Sequence, residues 1–375
     1  MLKVLIEMDL LFMGGSEKQF RYIISTLNAC PDCELYVLVQ NKSLVDDSQQ
    51  IKEFVNQHSR THFVFLDSNA MKYNHSNRIV RLTTKMLSLI PFYFWHRFTL
   101  PKLGIDIAMV NNMTGLMAVP LLNKCKCITI YNERNTGRQV TDKRFKIKRL
   151  LKCNTVVANS KTAAAYLQGI IQKEIRVINN GLKMEKIICE EDNPHQNVRI
   201  LIPGRITPIK NQLFALQSLK QSGRKNIQMI LVGGCEDKEY MDEINSYIAS
   251  NGLEQNVLIK GFTTDMYTEY SECDMVLLPS KEEGTPNVLL EAFMYGKPVL
   301  ASNIPQNKDC MLFPEYLFSI EQPEALAELL KKAADGILFS DKKKVIKVNR
   351  KFVEDNYSLE KMEANYLKLF GLNGD

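Results

Sequence analysis

The sequence predicts two α/β domains, each built on a doubly wound parallel sheet, and three observations lead to that fold class. The chain has 375 residues, enough for two domains of ordinary size that each bury a core. Short apolar runs alternate with segments that a crossover helix would fill, as in parallel sheets covered on both faces. The order strand, glycine loop, helix opens the chain and returns near residue 198, so the chain holds two similar halves.

Composition narrows the class of protein. The chain is 45% apolar and 24% charged, which argues against disordered, collagen-like and disulfide-scaffold proteins. Its 48 basic and 42 acidic residues leave a net charge of +6, too small to indicate nucleic-acid binding. No apolar run reaches the roughly 18 residues of a membrane span, and Glu7 and Asp9 interrupt the apolar core that a signal peptide would need. Nine scattered cysteines are typical of reduced thiols in a cytoplasmic protein and predict no metal site.

The first predicted domain spans residues 1–189. Leu2–Ile6 is an apolar run suited to a buried parallel strand, and Gly14 and Gly15 follow it in a loop. Glu17–Leu27 then carries apolar residues at helical spacing. Further strands are predicted at Leu35–Val39, His62–Leu66, Ile105–Val110, Cys127–Tyr131 and Thr155–Ala158.

The second predicted domain spans residues 190–355 and begins with a polar, Pro-containing linker at 190–197. A strand at Val198–Pro203 leads through Gly204 to a helix at Asn211–Leu219. Residues 356–375 form a C-terminal helix whose apolar face we expect to pack back on the first domain. A ligand of two such domains would lie between them, at the carboxyl ends of the strands. Further strands are predicted at Met229–Val232, Val257–Ile259, Met275–Leu278 and Pro298–Ala301.

The segment after the strand Met275–Leu278 predicts an anion site. Thr285 suits a helix cap, Pro286 suits the first helical position and Gly296 suits the stop, so a helix is expected from Pro286 to about Tyr295. Its first amides and its dipole would face the carboxyl edge of the sheet, where a phosphate is favoured.

Two carboxylates accompany this helix. The helix is apolar nearly all round and therefore buried, so Glu291 needs a partner, and a pair of ribose hydroxyls would serve. Asn287 lies one turn earlier on the same face, and Glu283 on the loop would project into the cleft. The alternative is a buried Glu satisfied by backbone or Arg and a solvated loop Glu.

A second signal is the segment 204–211. Thr207 can cap and Pro208 can open the next helix, which places Lys210 in its first turn. A cation there opposes the helix dipole at a cost of about 0.3–1 kcal/mol unless an anion is present. Arg205 lies on the same edge, so a diphosphate between Arg205, Lys210 and the helix at 286 would remove the conflict. Two solvated basic side chains are the alternative.

These residues together resemble the retaining GT-B glycosyltransferases of family 4. Arg205 and Lys210, with Glu283 and Glu291 spaced as Glu-x7-Glu, are similar to the family's signature. The likeness covers nearly the whole chain, is strongest from 199 to 302, and implies two Rossmann-like domains facing across a cleft. It also includes Gly14-Gly15-Ser16-Glu17, Asn180-Gly181, the segment 283–287 and Ser302-Asn303.

The resemblance implies roles for individual residues. The substrate would be a nucleotide sugar, by preference UDP-linked, with no cofactor. Arg205 and Lys210 would bind its diphosphate, Glu291 its ribose and Glu283 the donor sugar. The other donor-binding positions are Gly14, Gly15, Gly204, Gly261, Gly284, Thr285, Pro286, Asn287 and Val288.

One departure from the family concerns the acceptor side. Many members place a His after the strand that ends here near Tyr131, whereas this chain has Asn132-Glu133-Arg134-Asn135 there, similar to a variant of bacterial polysaccharide enzymes. Glu133 and Arg134 follow a strand, so we expect them in the cleft, with Arg134 as a catalytic group at the leaving phosphate or at an acceptor phosphate. A surface ion pair is the alternative. Glu133, Asn135 and Asn112 are the predicted acceptor-side residues.

The implied reaction is transfer of a hexose or N-acetylhexosamine with retention of configuration, in bacterial surface polysaccharide (O-antigen or capsule) biosynthesis. Charge builds on the leaving diphosphate, and fixed cations and helix amides stabilise it. Because these groups take the place of a metal and no Asp-x-Asp pair ends a strand, we expect metal-independent catalysis.

Membrane contact has a separate basis in the sequence. Residues 72–102 combine basic and aromatic side chains, and residues 143–152 form a second basic cluster. Such segments suit an interfacial helix on anionic lipid. With the polyprenyl-diphosphate-linked acceptor that the resemblance implies, the expected location is cytoplasmic, peripheral on the inner membrane. A core helix with a solvated basic side is the alternative.

Two rival functions remain open from the sequence. A nucleotide-sugar epimerase of GT-B architecture would share the phosphate site but needs acid and base groups, and the missing His counts against it. A non-catalytic basic binding protein would have nucleic-acid affinity, but the basic clusters carry no recognised reader motif.

Overall fold

The computed structural model describes residues 1–9, 11, 15–40, 49–66, 87, 89–187, 197–235, 237–339 and 341–372. It divides into two units, Met1–Gly181 with Leu359–Asp375 and Leu182–Ser358. The chain passes from the first unit to the second between Gly181 and Leu182, before the boundary predicted at 189/190. Leu182 already belongs to the second unit, because its amide donates to the Tyr357 carbonyl and it pairs with Ser358. Of the predicted linker, residues 190–196 lie outside the described residues.

The first unit contains a parallel sheet in the order β3-β2-β1-β4-β5-β6-β7. Strand order reverses between β1 and β4, which is where a doubly wound sheet leaves a crevice at its carboxyl edge. The strand β7 was not predicted, because three residues carry too little pattern. The strands are β1 Leu2–Met8, β2 Cys33–Val39, β3 Thr61–Phe65, β4 Ile107–Val110, β5 Ile128–Glu133, β6 Thr155–Ala158 and β7 Ile175–Val177.

Helices of the first unit cover this sheet with their apolar faces. The predicted helix after the glycine loop is present, and Phe20, Ile23, Ile24 and Leu27 are its buried apolar residues. The helices are α1 Gly15–Ala29, α2 Gln49–Gln57, α3 Ile90–Phe94, a π-helical turn Trp95–Thr99, α4 Leu100–Leu103, α5 Asn112–Lys124, α6 Arg138–Thr141, α7 Arg144–Leu150 and α8 Lys161–Ile171.

The second unit repeats the plan with a parallel sheet in the order β10-β9-β8-β11-β12-β13. Its strand order reverses between β8 and β11, so the fold class predicted from the sequence is confirmed in both units. The strands are β8 Val198–Pro203, β9 Ile227–Val232, β10 Val257–Gly261, β11 Met275–Leu278, β12 Val299–Ser302 and β13 Leu317–Phe318. The helices are α9 Gln212–Ser222, α10 Lys238–Asn251, α11 Met266–Ser271, α12 Asn287–Tyr295, α13 Pro305–Lys308, a 3-10 turn Pro314–Tyr316, α14 Pro323–Ala334 and α15 Lys342–Tyr357.

Two predicted helix starts were wrong. The helix α9 begins at Gln212, because Asn211 before it adopts a left-handed conformation (φ +61°) and interrupts the helical path. Thr207 instead closes a separate turn, in which its carbonyl accepts from the Lys210 and Asn211 amides at 2.9 and 3.1 Å. Lys210 therefore precedes the helix. The helix α12 begins at Asn287, and Pro286, with ψ +70°, lies outside it.

The chain returns to the first unit in α16, Leu359–Phe370. Met362, Tyr366 and Phe370 are buried in the core that α1 and β1 also line. The Thr26 hydroxyl on α1 donates to Glu363 on α16 at 3.0 Å. The last helix in sequence thus completes the core of the first unit.

A buried ion pair fixes the segment that follows α3. His96 in the π-helical turn and Glu7 at the end of β1 have fully buried side chains, and Nε2 of His96 lies 2.6 Å from Oε1 of Glu7. The other ring nitrogen, Nδ1, donates to the Phe92 carbonyl at 2.8 Å. Burial by itself would lower the pKa of His96, but the Glu7 carboxylate and the two hydrogen bonds outweigh burial and raise that pKa above 6.5.

We therefore expect the first unit to lose stability in alkali through this pair. A histidine whose folded pKa lies above its unfolded value contributes stability that is complete below about pH 6.5 and is lost as the pH rises through the folded pKa. As the pH rises above about 6.5, the free energy of unfolding should fall more steeply for the wild-type protein than for His96→Gln. Chemical denaturation at several pH values measures this, and parallel curves for the two proteins would contradict it.

Candidate active site

The loops that carry the predicted phosphate residues meet at the switch point of the second sheet. The loop after β8 and the loop after β11 are joined by two hydrogen bonds. The Lys281 amide donates to the Ile209 carbonyl at 2.8 Å, and Asn211 Nδ2 donates to the Pro279 carbonyl at 3.2 Å. Because β8 and β11 flank the reversal of strand order, this is the edge where open α/β sheets bind ligands.

Glycines at the ends of neighbouring strands allow the backbones to approach closely. The Gly204 amide donates to the Val232 carbonyl at 2.8 Å, and the Gly233 amide donates to the Gly261 carbonyl at 2.8 Å. Gly233 has φ +155°, and a Cβ placed there would lie 2.1 Å from the Gly204 carbonyl oxygen. Only glycine fits at this position, so Gly233 sets the path of the loop that carries Arg205.

Lys210 and Glu283 form an ion pair on this edge. Lys210 Nζ lies 2.6 Å from Glu283 Oε1, with 23% and 9% of the two side chains exposed. The aliphatic stem of Lys210 runs 3.7 Å from the position where a Cβ on Gly204 would stand. Arg205 is exposed, and the described residues give its guanidinium no hydrogen bond or ion pair. One cation is thus held in place and a second is available to an anion.

The start of α12 lies on the same loop. No side chain caps this helix, and the Asn287 amide donates to the Thr285 carbonyl at 2.8 Å. Thr285 and Pro286 are buried, whereas Gly284 is partly exposed beside Glu283. The predicted side-chain cap by Thr285 was wrong, because Thr285 contributes its carbonyl oxygen to the turn.

Glu291 has a protein partner within α11. The Tyr270 hydroxyl lies 3.3 Å from Glu291 Oε2 and 3.5 Å from the Val288 carbonyl oxygen. Tyr270 is fully buried and Glu291 is partly exposed. The sequence predicted ribose hydroxyls as the partners of Glu291, with backbone or Arg as the alternative. It did not indicate Tyr270, which lies outside the motifs described above.

Comparison with known families identifies this part of the chain. Residues 197–335 match the family model described as glycosyl transferases group 1, and the match includes the whole arrangement of Arg205, Lys210, Glu283 and Glu291. The second unit contains a glycosyl transferase group 1 domain.

Named bacterial glycosyltransferases are among the proteins similar to this chain. Over 203 residues the chain is 26% identical to the capsular polysaccharide biosynthesis glycosyltransferase CapH of Staphylococcus aureus, covering 53% of this chain and 55% of that protein. It is 27% identical over 173 residues to the UDP-Gal:alpha-D-GlcNAc-diphosphoundecaprenol alpha-1,3-galactosyltransferase of Escherichia coli, covering 44% and 43%. The chain thus spans about half the length of the relatives it matches.

Solved structures extend the likeness in fold to both units. HepE from Anabaena, solved in complex with UDP and glucose, superposes with a TM-score of 0.76 at 17% identity, covering 99% of this chain and 100% of that protein. At this identity the likeness concerns the fold alone. The GT-B fold predicted from the sequence is confirmed.

The structure buries the motif after β5 in the first unit, outside the group 1 domain. Arg134 donates to the Tyr366 hydroxyl at 3.1 Å and to Asn180 Oδ1 at 2.5 Å, and only 5% of the residue is exposed. Glu133 accepts from the Tyr131 hydroxyl at 3.1 Å and from the Asn135 amide at 2.7 Å. The expectation that Glu133 and Arg134 point into an open cleft is therefore corrected, since both side chains are buried and form hydrogen bonds with groups of their own unit.

The remaining acceptor-side residues lie at the carboxyl edge of the first sheet. Asn112 (φ +55°) begins α5, and its Nδ2 donates to Asp9 Oδ2 at 3.0 Å, just after β1. Burial raises the pKa of Asp9, although hydrogen bonds from Asn112 and Thr114 oppose the shift. Asn135 is exposed. Asp9 was not predicted as a site residue, although its place directly after the first strand was a usable signal.

The structure describes only part of the predicted glycine loop, and it bears on the predicted absence of a metal site only for the described residues. Gly15 is exposed at the first position of α1, and Gly14 lies outside the described residues. Within the described ranges, no group of three or more His, Cys, Asp or Glu side chains is arranged to hold a metal ion. Metal-independent catalysis stays a prediction.

Proposed function

We propose that this protein transfers a hexose or N-acetylhexosamine from a nucleotide sugar, by preference UDP-linked, to a lipid-linked saccharide in bacterial surface polysaccharide biosynthesis. The observation that carries the proposal is the Lys210–Glu283 ion pair at the switch point of the second sheet, within the group 1 domain. Exposed Arg205 and the start of α12, which no side chain caps, lie on the same two loops. The names of CapH and of the E. coli galactosyltransferase support the pathway and the kind of acceptor.

The proposed chemistry is stabilisation of a departing diphosphate. Arg205 and Lys210 offer charged donors, and the first turn of α12 offers oriented amides, so negative charge is stabilised as it develops. A lysine ammonium has three N–H donors. Lys210 can therefore keep its bond to Glu283 while it donates to phosphate, which leaves Glu283 oriented toward the sugar.

Retention of configuration follows if attack occurs on the face from which the diphosphate leaves. The acceptor hydroxyl forms a bond to the anomeric carbon as the sugar–phosphate bond breaks, and its proton passes to the departing diphosphate oxygen. This route needs neither a metal nor a histidine base. Arg134 donates to Tyr366 and Asn180 inside the first unit, so it is better suited to supporting the fold of that unit than to touching the substrate.

Nucleotide release tests the proposed function. The full chain is incubated with UDP-glucose, UDP-galactose, their N-acetylhexosamine counterparts and GDP-mannose, with and without a polyprenyl-diphosphate-linked saccharide. We expect release that depends on the lipid-linked acceptor, and an α-linked product from an α-linked donor. Conversion of the sugar without acceptor would indicate an epimerase, absence of turnover with every donor would contradict the proposal, and a β-linked product would exclude retention.

We further propose that the first unit rests on anionic lipid of the cytoplasmic membrane surface. Residues 72–86 and 88 of the predicted segment lie outside the described residues. In the described part, Ile90, Tyr93, Phe94 and Phe98 form one exposed face, called here the aromatic face, with each side chain 46–55% exposed. Phe92 and Trp95 face inward. No helix among the described residues is long and apolar enough to cross a membrane.

The aromatic face carries a basic group of its own, and α5 contacts both basic segments. Arg97 lies over the Phe98 ring, 5.5 Å from its centroid. The π-helical turn that carries Arg97 and the basic helix α7 both pack against α5, and Asn123 Nδ2 near the end of α5 donates to the Lys152 carbonyl at 3.1 Å. The aromatic and basic segments thus share one supporting helix, an arrangement suited to insertion at a negatively charged interface.

Vesicle flotation tests this surface. The wild-type protein should float with phosphatidylglycerol-containing vesicles at low salt and much less at high salt, because each basic group near such a surface contributes about 1 kcal/mol. The double variant Tyr93→Ser/Phe94→Ser should float at least tenfold less, since it loses the inserted rings. Tyr267→Ser, a comparably exposed tyrosine of the second unit, is the control. Absence of binding at low salt would contradict the proposal.

A further inference from the structure

A buried tyrosine contacts the carboxylate that the proposed donor site assigns to ribose. Tyr270 lies on α11, immediately before β11, and its hydroxyl is 3.3 Å from Glu291 Oε2. The second contact of the hydroxyl is the Val288 carbonyl at 3.5 Å, in the first turn of α12. The hydroxyl thus sits against the turn that presents Glu291 on α12.

The ring of Tyr270 is held in place by two other tyrosines. Tyr295 stacks on it with 4.9 Å between ring centroids, and Tyr267 meets the edge of Tyr295 at 5.9 Å. Tyr270 is fully buried, so it has little room to change rotamer. Its hydroxyl therefore occupies a fixed point relative to α12.

The tyrosine acts as a donor. Burial, followed by the charge on Glu291, raises the pKa of Tyr270 well above 10, so the phenol stays protonated. An ionised carboxylate has about four lone-pair sites and donates nothing, so the bond from Tyr270 restricts its rotation and leaves it able to accept further hydrogen bonds. Because this carboxylate is already fixed, less conformational entropy is lost from its side chain when a ligand binds.

We propose that Tyr270 is a positioning residue that holds the Glu291 carboxylate in the orientation that accepts hydrogen bonds from the ribose hydroxyls of the donor nucleotide. The inference rests on the proposed ribose-binding role of Glu291. It assigns Tyr270 no contact with the substrate, and it predicts that Tyr270 controls how well the site distinguishes ribose from deoxyribose.

Binding of nucleotides and their deoxy analogues tests the inference. Dissociation constants of the full chain for UDP, GDP and their 2′-deoxy and 3′-deoxy forms are measured by calorimetry. The wild-type protein should prefer the ribonucleotide by about tenfold or more over at least one deoxy form, as for a hydrogen bond to a charged group. In Tyr270→Phe the ring stack is kept and the preference should fall to about threefold or less.

Controls separate positioning from a general structural effect. Tyr267→Phe loses a hydroxyl from the same short helix, where the ring is exposed, and should keep the full preference. Two results would overturn the role of Tyr270 alone. In the first, Tyr270→Phe weakens the binding of ribonucleotides and deoxynucleotides equally. In the second, Tyr270→Phe leaves the preference for the ribonucleotide intact while Glu291→Gln abolishes it. A preference that survives Glu291→Gln, or absence of nucleotide binding by the wild-type protein, would overturn the ribose role of Glu291 and this inference with it.

Discussion

Lys210→Ala is expected to lower kcat/KM for the sugar donor by about 10²–10³-fold, the loss typical for a group that stabilises charge in the transition state. The ammonium is fixed by Glu283 at 2.6 Å and is largely shielded from water, so its charge acts more strongly than that of a solvated lysine. Its removal also leaves the Glu283 carboxylate, 9% exposed, without this cation. Most of the loss should therefore appear in turnover rather than in substrate affinity alone.

Steady-state kinetics at saturating donor measure this effect. Lys332→Ala, an exposed lysine on α14, is the control and should keep wild-type turnover. Arg205→Ala should lower kcat/KM in the same direction, because its guanidinium is the second proposed cation. If Lys210→Ala turns over at the wild-type rate with saturating donor, Lys210 has no part in stabilising the leaving group.

Gly233→Ala is expected to abolish nucleotide binding and to lower the free energy of unfolding by roughly 3 kcal/mol or more. The new Cβ would stand 2.1 Å from the Gly204 carbonyl oxygen and 3.1 Å from the Arg205 amide nitrogen, so the backbone that carries Arg205 must move. Because both neighbours are backbone atoms, no side-chain rotation relieves the clash.

Gly252→Ala separates this clash from the general cost of a positive φ. Gly252 has φ +64°, and no atom lies within 4 Å of the point that its Cβ would occupy, so alanine there should cost only about 1–2 kcal/mol and leave nucleotide binding unchanged. Thermal unfolding and calorimetry of the two variants give the comparison. Equal losses in both would show that the contact between Gly233 and Gly204 has no special importance.

Much of the fold could be predicted because buried parallel strands appear as short apolar runs. The segments predicted at Thr155–Ala158 and Met275–Leu278 coincide with β6 and β11. The start of α9 was misplaced, because Thr207 and Pro208 carry helix-start chemistry that in fact forms an isolated turn, and the left-handed Asn211 has no clear signal in the sequence. A short strand such as β13, with two residues, is below what periodicity resolves.

The candidate site was predictable where one loop carries several residue types together and not where distant segments meet. Lys210 and Glu283 were placed on one edge because both follow strands of the same sheet, and the structure brings them into contact. Arg134 was expected in the cleft because it also follows a strand. Its burial depends on Tyr366 and Asn180, which lie far away in sequence, and no local pattern indicates that contact.

The return of α16 to the first unit has a consequence for biosynthesis. Met362, Tyr366 and Phe370 fill the hydrophobic interior beside α1, but they leave the ribosome only after every strand of both sheets has been made. The first unit therefore waits with an unfilled apolar surface while the second unit is synthesised, a state that chaperones recognise and that favours aggregation. A fragment designed to isolate the first unit would need residues 359–372 grafted back through a linker in order to fold.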